Sequence, residues 1–134
     1  MKNTPSTIEE TQKLLLDKKI TAVELVDSYL ENITKLNPEL NAILTVCEEA
    51  AYQKAKKIDA LVGELGEKIK EQYPLFGVTV AYKDLFLTKG IRTTAGSKVL
   101  EAYVPSYSAT VVKKLEAAGA VPIAKTNCDA WAHG

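Results

Sequence analysis

Lys83 is the residue in this sequence best placed to do chemistry. It lies near the end of an apolar run, residues 78–84, that reads as a short buried strand. Side chains alternate along a strand, so Lys83 shares a face with Ala81 and Asp84 points the other way. We expect the face with Lys83 to point inward, so that the lysine is partly desolvated. Burial lowers the pKa of lysines in general, and a neutral amine is a usable general base. The alternative is a strand-end lysine that simply extends into solvent.

Other residue types that carry chemistry are few. Cys47 and Cys128 are far apart in dissimilar contexts, and His133 is the single histidine. Without a CxxC pair or clustered histidines, the sequence predicts two reduced thiols and no metal site. Cys128 has no histidine partner placed by a motif, so we do not expect it to act as a nucleophile.

The composition is that of an ordinary globular protein. The chain has 134 residues, 46% hydrophobic and 25% charged, with a formal net charge of zero. This size suits one domain or part of a larger one. Without excess positive charge the chain lacks the electrostatic character of a nucleic-acid binder, so any RNA would be held by a partner. No apolar run is long enough for a signal peptide or membrane span, which favours a cytoplasmic protein.

The first half of the sequence reads as helical. One helix is predicted to begin at Ser6 or Thr7, and a second begins at the capping box formed by Thr21 and Glu24. The second helix is expected to end at residues 37–38, because the residue before a proline avoids the α region. Residues 40–46 fit either a short strand or a turn. A third helix is predicted from residue 48 to about residue 65, and the charged run 64–71 reads as a solvated surface.

The second half reads as strand, helix, strand. After the strand at residues 78–84 and a polar loop at 91–97, a helix starts at Ser108 or Thr110 and is closed by Gly119. Residues 121–125 form a second apolar run, in which Pro122 predicts a short strand or a sheet edge. This order is typical of an α/β sheet with helical cover.

Several of these segments, in this order, resemble one known family. They are residues 20–26, 40–42, 75–78, 81–84, 89–97, 108–112, 119–121 and 125–129. Together they closely resemble the N-terminal portion of the amidase signature family, and the resemblance runs from residue 6 to residue 134. It implies an α/β fold with a mixed sheet covered by helices, incomplete in this chain. Residues 1–134 would be part of a single amidase domain, with a helical region at about 6–72 and core strands and a helix at about 75–134.

The resemblance also implies a mechanism. Members hydrolyse amides with a Ser–cis-Ser–Lys triad, in which Lys83 matches the lysine that activates the nucleophile through the bridging serine. Both serines follow the segment matching residues 125–129, so we expect this chain alone to be inactive. Ser97 does not match either serine. Trp131 and His133 fall in a run that passes near the family's substrate pocket, so they either line it or serve as ordinary packing residues.

Within the family, the series is most similar to glutamine-hydrolysing subunits of tRNA-dependent amidotransferases. That similarity implies glutamine as substrate, the amidotransferase B and C subunits as partners, and misacylated Glu-tRNA or Asp-tRNA bound through the complex. It implies no cofactor on this chain, because a partner subunit uses ATP and Mg²⁺. Two alternatives remain: a stand-alone amidase acting on a small or aryl amide, and a non-catalytic truncated chain acting as an interaction module.

Overall fold

The computed structural model describes residues 4–134, in which three strands are interspersed among five helices. The elements, in chain order, are α1 (Ile8–Leu16), α2 (Ala22–Leu40), β1 (Ile43–Val46), α3 (Glu48–Leu65), α4 (Ile69–Gln72), β2 (Thr79–Lys83), α5 (Thr110–Ala117) and β3 (Val121–Thr126). Short 3₁₀ turns lie at Gly66–Lys68, Lys98–Leu100 and Ala130–Ala132. Within residues 4–134, no helix is both long and apolar enough to cross a membrane.

The beginning of α2 is held both locally and from a distance. As predicted, Thr21 and Glu24 form a capping box, in which each side chain accepts the other residue's backbone N–H. In addition, the carboxylate of Asp59 on α3 accepts the N–H groups of Ala22 and Val23, at 2.6 and 3.2 Å. The first N–H groups of a helix have no partner within that helix, and here their bonds to Asp59 fix the beginning of α2 to α3.

The predicted end of α2 at residues 37–38 is wrong, because the helix continues to Leu40 with Pro38 inside its last turn. The helix is closed by Asn41, which has a left-handed φ of 49° and donates its N–H to the Asn37 carbonyl at 2.8 Å. The Asn37 side chain also accepts the N–H of Ile43 and donates to its carbonyl. These bonds hold the final turn despite the one N–H that the proline lacks.

The three strands of the described residues form a mixed sheet in the order β1-β3-β2. β2 and β3 are parallel and joined through α5, which confirms the predicted strand–helix–strand unit. β1 runs antiparallel to β3, so the segment left open between strand and turn contains a strand. Because both neighbours pair with β3, this strand is the centre of the sheet.

Of the two alternatives predicted from Pro122, a short strand or a sheet edge, the sheet edge is wrong, and β3 is a strand of six residues. The central strand tolerates Pro122 because the N–H that proline lacks would lie where the strand ladders are irregular. The named pairs between β1 and β3 extend only to Val46 and Ala124, and the β2–β3 register shifts between Val80 and Ala81. A proline disrupts a sheet when it removes a ladder donor, and here it lies beside a bulge and beyond the β1 ladder.

Helices α2 and α3 pack against each other and against β3. The buried apolar cluster at their meeting point includes Leu25, Val26, Ala51, Ala55, Ile58, Val121, Ile123 and Ala124. The small side chains of Ala51 and Ala55, both 0% exposed, allow close approach of α3 to the sheet. The charged run 64–71 is mainly exposed, as predicted, although Ile69 within it is buried. The α/β class with a mixed sheet and helical cover is confirmed.

Candidate active site

Lys83 is the last residue of β2, at the carboxyl end of the two parallel strands. Its side chain is 45% exposed, and its Nζ lies 3.8 Å from Oδ1 of Asp129. The predicted inward orientation of Lys83 is wrong for this chain, although a side chain with this exposure is still partly shielded from solvent. Ala81, on the same face, is exposed, whereas Tyr82 between them is buried. No described element covers the Ala81–Lys83 face of β2, and the amine therefore meets solvent.

Asp84 does point to the opposite face, as predicted. Its side chain is fully buried, and its Oδ2 accepts both the backbone N–H and the hydroxyl of Thr94. Its backbone is bonded as well, because the Asp84 N–H donates to Thr126 and the Asp84 carbonyl accepts from Ala95. The residue next to Lys83 in the chain is thus held through both its side chain and its backbone.

Lys125, near the end of β3, is the charged residue that the sequence interpretation missed. Its side chain is 0% exposed, and its Nζ lies 3.4 Å from Oδ1 of Asp84. The ammonium also donates to the Phe86 carbonyl at 2.9 Å and to the Thr93 hydroxyl at 2.7 Å. Burial lowers the pKa of Lys125, and the charge of Asp84 opposes that shift. The sequence does carry a signal for Lys125. It lies near the end of an apolar strand, and the neighbouring strand ends in Lys-Asp.

The loop after β2 closes against the C-terminal turn. Ala95 and Gly96 both have left-handed φ values, 51° and 65°. A side chain at position 96 would meet the Cys128 carbonyl at 2.6 Å, so the close approach requires glycine. The Ala95 carbonyl accepts the N–H of Trp131 at 2.9 Å. The polar loop predicted at residues 91–97 therefore packs against the segment that follows β3.

Trp131 and His133 lie on that C-terminal turn. Trp131 is 50% exposed and His133 is exposed. The turn is stabilised by Asp129, whose Oδ2 accepts the N–H of Gly134 at 2.7 Å. Hydrogen bonds from its own N–H and that of Gly134 lower the pKa of Asp129, with a smaller contribution from Lys83. The structure thus places the turn beside Lys83, and a substrate-lining role for Trp131 and His133 stays a prediction.

The thiols differ in their surroundings. Cys47 is buried, and burial raises its pKa to about 11. Cys128 is partly exposed, and its pKa is also raised, mainly by burial. A raised pKa leaves both as neutral, weakly nucleophilic thiols near pH 7. Among residues 4–134, no group of three or more histidine, cysteine, aspartate and glutamate side chains is arranged to hold a metal ion.

A cleft of about 640 Å³ lies elsewhere on the molecule. It is bordered by the end of β1, the first half of α3 and a loop that includes Lys89 and Arg92. Lys83, Asp129 and the turn with Trp131 are not part of its wall. The cleft is therefore separate from the cluster at the carboxyl ends of β2 and β3.

The fold and this cluster define an α/β domain that presents polar side chains at the carboxyl ends of parallel strands, where such domains bind ligands. The family model described as Amidase matches residues 24–134. The chain belongs to the amidase signature family.

Similar proteins agree with this assignment. The A subunit of the glutamyl-tRNA(Gln) amidotransferase from Dehalococcoides mccartyi strain CBDB1 is 47% identical over 96% of this chain and 25% of its own length. The protein of the same name from Koribacter versatilis is 44% identical over 96% of this chain and 26% of its length. The solved peptide amidase of Stenotrophomonas maltophilia superposes with a TM-score of 0.87 at 26% identity, over 98% of this chain and 26% of that one. The chain spans about a quarter of the relatives it matches.

Proposed function

We propose that this chain is the lysine-bearing part of an amidase domain that hydrolyses glutamine and supplies ammonia for tRNA-dependent amidation. The observation that carries the proposal is the 47% identity, over 96% of the chain, to the A subunit of a glutamyl-tRNA(Gln) amidotransferase. The product would be Gln-tRNA or Asn-tRNA made from misacylated Glu-tRNA or Asp-tRNA. The complete reaction is that of a carbon–nitrogen ligase with glutamine as the amido donor.

In this proposal Lys83 is the general base. It accepts, through the bridging serine, the proton of the serine that attacks the glutamine carboxamide, and it returns a proton to the departing ammonia. The position of Lys83 supports the role, because its Nζ lies at the open carboxyl end of β2 and reaches space that the described residues do not fill. Because both serines belong to the family segment that follows residues 125–129, the 134-residue chain alone would not hydrolyse glutamine.

The proposal extends to an assembly. Ammonia would pass to the B subunit, which activates the misacylated tRNA with ATP and Mg²⁺, while the C subunit would complete the complex in the cytoplasm. This chain itself would bind no cofactor. Relatives that are named as the A subunit of an amidotransferase support this part of the proposal.

The sharpest test supplies the rest of the domain from a relative. In a chimera, this chain replaces the aligned segment of the Dehalococcoides mccartyi protein, and ammonia release from glutamine is measured with and without the partner subunits. We expect the chimera to hydrolyse glutamine and the 134-residue chain to show no turnover. Activity on aryl amides without activity on glutamine would favour a stand-alone amidase instead.

The role of Lys83 is tested in the same chimera with Lys83→Ala. Loss of a general base typically costs about 10²- to 10⁴-fold in rate, so glutamine-dependent tRNA amidation should fall by at least about 10²-fold. Amidation driven by added ammonium should remain. The matched control is Lys114→Ala, since Lys114 is exposed on α5. An equal loss of ammonium-dependent activity would mean that Lys83 has a structural role.

A further inference from the structure

We propose that Lys125 is a positioning residue for Lys83, acting through its buried ion pair with Asp84. The inference deepens the proposed function and rests on it for its catalytic part. Lys83 has little to hold its side chain, which is 45% exposed and has Asp129 as a distant ionic neighbour. Its placement must therefore come from the backbone at the end of β2. That backbone is held by its pairing with β3 and by the residue that follows, Asp84.

The Lys125 ammonium joins three segments at one point. Around its Nζ the structure places two hydrogen-bond acceptors and one carboxylate that forms an ion pair with it. They are the Phe86 carbonyl, the Thr93 hydroxyl and the Asp84 carboxylate, at 2.9, 2.7 and 3.4 Å from Nζ. Strand β3, the turn after β2 and the loop around Thr93 therefore meet at a single buried cation.

Asp84 continues the network toward the C-terminal turn. Its carboxylate accepts from Thr94, whose hydroxyl in turn accepts the N–H of Gly96 at 3.2 Å. The Asp84 carbonyl accepts from Ala95, and the Ala95 carbonyl accepts from Trp131. The turn with Trp131 is the one that holds Asp129 near Lys83. One buried charge pair thus sets the position of both sides of the Lys83–Asp129 contact.

The energetics favour a geometric role over a stabilising one. Removing two charges from water is costly, and a buried ion pair can often be replaced by neutral side chains of similar volume without loss of stability. Losing one partner alone leaves an uncompensated buried charge and is strongly destabilising. What neutral side chains would not reproduce is the set of directed contacts between Lys125 and three separate segments.

The first test uses the 134-residue chain and the paired neutral variant Asp84→Asn/Lys125→Met. Either single variant can fail to fold, whereas the double variant removes both charges. We expect it to unfold cooperatively while the N–H groups of Ala95 and Trp131 exchange with solvent at least about tenfold faster, relative to Ala55 in α3. The control is the exposed pair replaced in Glu67→Gln/Lys70→Met, which should change neither rate. Unchanged exchange at Ala95 and Trp131 in the folded double variant overturns the proposal.

The second test measures kinetics in the amidase chimera carrying the same double substitution. A displaced Lys83 should lower kcat for glutamine at least about tenfold with KM within about twofold, because a misplaced base affects the chemical step more than binding. An unchanged kcat, with faster exchange in the isolated chain, overturns the catalytic part. If the unsubstituted chimera is inactive, the proposed function fails, and the exchange result still decides whether the pair positions the two segments.

Discussion

At the residue scale, the buried thiol of Cys47 makes the stability of the fold dependent on pH. Cys47 is 4% exposed, and burial raises its pKa from 9.0 to about 11, against the opposing charge of Lys125. Between pH 9 and pH 11 the thiol is protonated in the folded chain and has lost its proton in the unfolded chain. The contribution of this thiol to the free energy of unfolding is therefore fully present below pH 9 and is lost as the pH rises from 9 to 11.

We expect this loss to disappear in Cys47→Ala. A shift of one unit corresponds to about 1.4 kcal/mol, so the free energy of unfolding of the unsubstituted chain should fall by about 2 kcal/mol more than that of the variant. Urea unfolding at pH 8.5 and pH 11 measures the difference, and comparison with the variant cancels other titrating groups. Equal pH dependence in the two proteins would show that the thiol titrates as it does in water.

Lys83 and Lys125 show which properties of a lysine near a strand end can be predicted from sequence and which cannot. That Lys83 closes a strand and that Asp84 faces away from it followed from alternation, a local property. Whether the Lys83 face is covered depends on elements distant in sequence, and the expected inward orientation was wrong. Lys125 was missed for the same reason, because its partners at positions 84, 86 and 93 become neighbours only when β2 and β3 lie side by side.

At the scale of elements, Asp59 links α2 and α3 in a way that can be tested. Its carboxylate accepts the first N–H groups of α2, so Asp59→Ala removes two bonds and a favourable charge at a helix N-terminus. Loss of such a cap costs about 0.5–2 kcal/mol, and we expect a comparable fall in the free energy of unfolding. The control is Glu64→Ala, an exposed acidic residue on the same helix. A similar effect of both substitutions in chemical denaturation would contradict the assigned role of Asp59.

The helices and strands also show which structural features can be predicted from neighbouring residues and which depend on residues distant in sequence. The beginnings of α1 and α2 were predicted because their capping residues lie within three positions of the bonded N–H groups. The helix end predicted at Pro38 and the sheet edge offered for Pro122 were wrong, since Pro38 is tolerated through the Asn37–Ile43 bonds and Pro122 through a bulge between strands. A proline's local preference is readable from sequence, but its cost depends on which donor the fold would have used.

At the scale of the whole molecule, the described surface carries several large apolar side chains close together in sequence. Val99, Val104, Tyr107 and Val111 are 82, 54, 56 and 43% exposed. With a formal net charge of zero, little repulsion opposes association of such surfaces. We therefore expect the isolated chain to self-associate as its concentration rises.

Sedimentation velocity over a range of concentrations measures this association. The variant Val99→Glu/Val104→Glu should shift the chain toward monomer, because charged side chains disfavour burial of that surface. The control Ala42→Glu/Ala60→Glu adds the same charge at two other exposed positions. If the control suppresses association equally, net charge rather than the apolar segment governs it, and a chain that stays monomeric throughout contradicts the expectation.

The central place of β3 also sets the order in which the molecule can fold. β1 and β2 bond only to β3 in the described sheet, and the pair Ile43–Thr126 closes a loop of about 80 residues. During synthesis, α1, α2 and α3 emerge first and can associate through local contacts. The strands β1 and β2 have no strand to pair with until β3 has been made. Sheet formation must therefore be late, and refolding should be slower than in helical domains of the same size, whose contacts are local.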